Sequence, residues 1–93
     1  MIARVAHFDG QPDRFTTGHG YAYVLDAIAD VTGFVAGYHL VGPDESMSIS
    51  IWEDETAMRA GEAAVGQARE RLQLTGSPPD RVATYTVANS AVS

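Results

Sequence analysis

Residues 46–58 read SMSISIWEDETAM, and two different periods meet inside them. Met47, Ile49 and Ile51 alternate with Ser48, Ser50 and Trp52, the two-residue repeat of a β-strand. After Trp52 the repeat lengthens. Met58, Gly61, Val65, Ala68 and Leu72 recur at three and four residues, which is the stripe of an amphipathic helix. Asp54 stands where a carboxylate caps the first amides, and Glu55 favours the positive end of the helix dipole. Glu55 and Arg59 form an i,i+4 pair on the same helix. The strand is two-faced: one side is aliphatic, the other carries two hydroxyls and the only tryptophan. A face that is polar at one end and aromatic at the other suits a partly enclosed cavity better than open water or a plain core.

Outward from this stretch the elements follow in turn. IARVAHF (2–8) alternates Ile2, Arg4, Ala6 and Phe8 against Ala3, Val5 and His7, a strand with both faces mostly apolar. DGQPD supplies turn chemistry. From about Thr16 to Val31, the residues Tyr21, Val24, Leu25, Ile28 and Val31 keep helical spacing, with the regular helix starting near Gly20 after the poor helix former GHG. Gly33 is free to take the left-handed cap conformation. FVAGYHLV (34–41) reads as a second strand and GPDES (42–46) as a turn. TGSPPD (75–80) breaks the second helix, and RVATYTVA (81–88) is the last strand. The order βαββαβ predicts an α+β, ferredoxin-like sandwich: a four-stranded antiparallel sheet, the first and third strands central, both helices on one face.

Composition bounds the rest. Ninety-three residues fit one domain, spanning 1–93, and a chain this short gains stability from oligomerisation. There is no cysteine, so disulfides, thiolate metal sites and a cysteine nucleophile are excluded. A net charge of −6, with six dispersed arginines and no lysine, argues against a nucleic-acid surface. Met1 leads into the first strand without a basic stretch or a long apolar run, so a soluble cytoplasmic protein with no membrane partner is expected.

Two helices cover only one side of the sheet. Yet Phe34, Ala36, Tyr38 and Leu40 oppose Val35, Gly37, His39 and Val41, both sets largely apolar, and Met47, Ile49 and Ile51 add a third apolar row. Such a face is unusual on a soluble monomer, and the simplest cover is the same sheet of a second copy about a two-fold axis. A homodimer through the sheet face is expected.

Two stretches then resemble a known family. GFVAGYHL (33–40), a glycine and an aromatic opening a strand after the first helix, and SISIWEDETAM (48–58), a Trp-Glu pair and acidic run joining strand to helix, are similar to the antibiotic-biosynthesis-monooxygenase group of dimeric α/β barrel proteins. In element order the resemblance spans nearly the whole chain; in motif it covers some twenty residues. It implies a ligand pocket between the sheet and the helices of each subunit, paired sheets in a dimer, and cofactor-free oxidation of a phenolic or quinone-like metabolite. Haem-degrading relatives hold iron through a histidine on the second helix, and residues 53–80 contain none. By motif, Trp52 corresponds to the group's pocket tryptophan, and Arg4 stands where relatives place a polar first-strand residue.

The candidate catalytic residues are therefore Arg4, Trp52, His39 and Tyr85, and the candidate pocket is Ser48, Ser50, Tyr21, His19 and Val65. Arg4 in mid-strand is either an anion clamp or one half of an ion pair with a carboxylate such as Glu53, since an unpaired buried charge is costly. Trp52 is a pocket wall or a core residue. Tyr85 bonds a substrate oxygen or simply buries its ring. His19 and His39 are general-base candidates near neutral pH. With His7 they lack the spacing of a recognised metal triad, so no metal is expected, and the resemblance implies that no cofactor is needed. Small residues on the second helix, Gly61, Ala64 and Ala68, either leave room for a ligand or let the helix sit close. No GxSxG element marks a serine hydrolase. Two functions remain: a cofactor-independent monooxygenase working by substrate deprotonation and reaction with dioxygen, or a non-catalytic dimeric protein that binds a small hydrophobic or aromatic molecule.

Overall fold

A computed structural model of the chain describes residues 1–10, 22–72 and 79–92. Its elements run β1 (Ile2–Asp9), α1 (Ala22–Ala29), β2 (Phe34–Val41), β3 (Glu45–Trp52), α2 (Glu55–Arg71) and β4 (Arg81–Thr86). The sheet order is β2-β3-β1-β4, with every pairing antiparallel. β1 and β3 are central, as the βαββαβ order predicts. β4 ends two residues short of the expected 88, although Val87 still donates to the carbonyl of Met1.

Local chemistry sets the boundaries of the helices. Asp54 is extended and accepts a 2.8 Å bond from the amide of Ala57, which caps α2. At the other end the Leu72 amide closes back on the carbonyl of Ala68. α1 stops at Ala29, and Gly33 turns the chain with φ +91°, a conformation that disfavours a side chain. A Cβ there would also lie 2.5 Å from that of Ala57, so this glycine brings the turn against α2.

The register assigns the faces. Ile2, Arg4, Ala6 and Phe8 of β1 sit beside Trp52, Ser50, Ser48 and Ser46 of β3. Ile28, Trp52, Ala57 and Met58 form the buried core, with Ile2, Leu25, Val31, Phe34 and Val65 packed against it, so both helices cover this face. β2 departs from strict alternation. Phe34 pairs with Trp52 but Ala36 pairs with Ile51, so Val35 is an extra residue in a β-bulge. Phe34 therefore does not share a face with Ala36, Tyr38 and Leu40; it joins Gly37, His39 and Val41 on the helix side. The opposite face carries Ala3, Val5, His7, Ala36, Tyr38, Leu40, Met47, Ile49, Ile51, Ala83 and Tyr85. There Tyr38 and Tyr85 are 54% and 57% exposed.

Candidate functional site

The helix-covered face divides into two halves. At one end Trp52 is 2% exposed. Phe34 meets it edge-on at 5.4 Å between ring centroids, and α2 crosses it at Gly61, where a Cβ would fall 2.1 Å from the indole Cη2. The indole N–H donates a 2.9 Å bond to Ser50 Oγ. Of the two sequence readings of Trp52, its position is that of a core residue. Ser50 is occupied in satisfying it, and Val65 packs on the same cluster. The small residue at 61 lets the helix sit close rather than leaving room for a ligand.

The other half holds the polar groups. Ser46 and Ser48 are both buried, and among the described residues Ser46 Oγ has no hydrogen-bond partner. His39 stands directly across from Ser48 on β2, with its Nε2 buried. Burial pushes the His39 imidazole below its ordinary value of 6.5, because desolvation disfavours the charged form. It is therefore neutral at neutral pH and able to accept a proton. Arg4 lies two strands over and two residues along, about 10 Å across the sheet and about 7 Å along it from backbone spacing. Its Nε is 4.0 Å from Glu62 Oε1 on α2. The carboxylate facing Arg4 is thus Glu62, not Glu53, which is exposed and whose amide bonds the carbonyl of Gly33.

Among the expected site residues, Arg4, His39, Ser48, Ser50, Trp52 and Val65 lie on or against the helix-covered face. Tyr85 does not. It pairs with Ala3, whose parity is opposite to that of Arg4, so it lies on the far side of the sheet. His7 shares that far face, and His19 and Tyr21 lie outside the described residues. Two members of the site escaped the sequence reading. Ser46 continues the two-residue series of Ser48 and Ser50, a signal that was available. Glu62 borders the apolar stripe at i+4 from Met58, and nothing local ties it to Arg4 across 58 positions of chain.

No family model and no curated protein sequence matches the chain. Solved structures do match it. A protein of unknown function from Nitrosomonas europaea superposes with a TM-score of 0.72 at 18% identity, covering 99% of this chain and 93% of that one. SnoaB, a cofactor-independent oxygenase from Streptomyces nogalater, gives 0.71 at 20% identity, with 96% and 94% covered. The monooxygenase ActVA-Orf6 of Streptomyces coelicolor, solved with nanaomycin D, gives 0.71 at 22%, with 99% and 91% covered. At these identities the likeness concerns architecture alone. The chain has the ferredoxin-like fold of the antibiotic biosynthesis monooxygenases.

Proposed function

We propose that this protein is a small cofactor-independent monooxygenase-like enzyme for an aromatic, phenolic or quinone-like metabolite, acting as a homodimer in the cytoplasm. One observation carries the reading: the His39 imidazole, held below its ordinary value by burial, and the Arg4 guanidinium share the helix-covered face, with buried Ser48 between them. Their separation matches a fused-ring substrate better than a small one. SnoaB and ActVA-Orf6, oxygenases of the same fold, give the reaction class its support.

His39 takes the proton from the acidic C–H of an anthrone or from a phenol. The Arg4 guanidinium stabilises the negative charge that develops on the substrate oxygen. The carbanion passes one electron to dioxygen, the resulting radical and superoxide combine to a peroxide anion, and this takes back the proton held by His39 to give a hydroperoxide. Loss of water leaves a carbonyl; one oxygen atom enters the product and the other leaves as water. The dimer rests on the uncovered face, where Tyr38, Leu40 and Tyr85 stand exposed beside Met47, Ile49 and Ile51.

The test is anthrone under air and under nitrogen, with chelator present, following quinone absorbance. Oxygen-dependent product is expected, reduced about a hundredfold in Arg4→Ala and at least as much in His39→Gln. Turnover undiminished in both variants would sink the assignment. A monomer mass in solution would remove the dimer. A second reading, a non-catalytic dimeric protein that binds a small molecule, is favoured by the enclosure of Trp52, which leaves His39 and Arg4 as the base and the cation of that face among the described residues. Binding of a quinone without any turnover would select it.

A further inference from the structure

Arg4 is held unusually loosely for an arginine in the middle of a central strand. Among the described residues its one charged partner is Glu62, and the contact is a single Nε to Oε1 approach at 4.0 Å, the outer limit of an ion pair. The Arg4 side chain is 26% exposed and that of Glu62 48%. On the same face its strand neighbours are Ser50, whose oxygen serves the Trp52 indole, and Thr84, which is exposed. Neither brings a negative charge. The terminal nitrogens of the guanidinium, a planar fork suited to two oxygens at once, are thus not matched by a bidentate acceptor. A structural arginine at such a position normally closes that fork onto a carboxylate, because a half-buried cation gains most from doing so.

We infer that Glu62 is a placeholder and that Arg4 receives a ligand bearing a two-oxygen anionic edge, a carboxylate on the aromatic body, which displaces Glu62 on binding. This rests on the reading of the helix-covered face as the ligand face, but not on turnover. Glu62 is a positioning residue here: it holds the fork and competes with the incoming anion. Its own pairing is weak, as expected of a half-exposed carboxylate at this distance, so exchange for a better acceptor is favourable. The net charge of −6 sharpens the consequence, since the protein as a whole repels an anion and a local guanidinium has to offset that repulsion.

Two non-oxidisable probes separate the possibilities, an anthraquinone carboxylate and its neutral carboxamide, with Kd measured by equilibrium dialysis. The wild-type protein should bind the carboxylate about tenfold more tightly than the carboxamide, the scale of a charged hydrogen-bonded pair. Arg4→Gln should erase that preference while retaining the carboxamide. Glu62→Gln should tighten the carboxylate about two- to fivefold and leave the carboxamide unchanged, an effect that lost packing would not produce. Arg4→Lys keeps the charge without the fork and should give an intermediate preference. It carries the test with Glu62→Gln if Arg4→Gln does not fold. Equal affinities in the wild type, no binding of either probe, or a weaker carboxylate in Glu62→Gln would overturn the inference. A protein that prefers the carboxylate yet oxidises no anthrone keeps it and loses the enzyme reading, whereas oxidation without preference does the reverse.

Discussion

The two halves of the helix-covered face are chemically opposite. Around Trp52 the burial is apolar, and its single polar atom is matched by Ser50. Around Ser46, Ser48 and His39 the burial encloses hydroxyls and an imidazole, and Ser46 Oγ is left without a partner among the described residues. A core made only for stability would not enclose a hydroxyl it does not satisfy, because that costs about 1–3 kcal/mol. Depth therefore does not locate the candidate site; the residual polarity does. The tryptophan marks the closed half of the face that Arg4 and His39 share.

If that division is right, the closed half should govern stability. Trp52→Ala removes the largest buried side chain and its edge-on contact with Phe34, and should cost about 3–5 kcal/mol in urea unfolding at fixed protein concentration. A loss below about 1 kcal/mol would mean that the indole packs loosely and borders a cavity after all. Next in size is Gly61→Ala. The added methyl is directed into the indole, so a loss of about 1–3 kcal/mol is expected even though alanine is the better helix former. A gain would show that α2 has slack above Trp52, which is what a ligand slot there requires.

How far the sequence carried this comparison depends on the range of the interaction. The strand-to-helix switch at Trp52 and the Asp54 cap were legible because period and capping are local. The sheet order followed from the βαββαβ string, since few arrangements of that string satisfy antiparallel pairing. The bulge at Val35 was not legible. Nothing in FVAGYHLV distinguishes an alternating strand from one with an extra residue, and the shift alone moves Phe34 into the core. The site suffered the same way. Tyr85 was placed by chemistry, and only the pairing with Ala3 shows that it lies behind the sheet. The Arg4–Glu62 approach joins β1 to α2 and leaves no mark in either segment read alone.

A matched pair of serine variants sets the two halves directly against each other at smaller scale. Ser50→Ala strands the indole N–H of Trp52 and should cost about 1 kcal/mol, while Ser46→Ala deletes a buried hydroxyl without a described partner and should be neutral or stabilising by up to about 1 kcal/mol. Opposite signs would confirm that the Trp52 indole N–H is satisfied and the Ser46 hydroxyl is not. Equal losses would mean that Ser46 also supports the fold.

The smallest effect concerns His39, and its sign follows from burial. Desolvation lowers the imidazole below its ordinary 6.5 in the native state only, so as the pH falls through that value the unfolded chain takes up the proton first. Proton uptake by the unfolded state favours unfolding. Stability should therefore be flat above 6.5, decline below it, and stop declining from this cause once the native imidazole is itself charged. His39→Gln should remove that component, seen as a smaller shift of the urea midpoint between about pH 7.5 and about pH 5.5. The same depression predicts the activity profile. A base that is already neutral below 6.5 lets kcat/KM reach its plateau on the acid side of an ordinary histidine. A stability slope unchanged in His39→Gln, together with an activity inflection above 6.5, would place the imidazole in water and the base elsewhere.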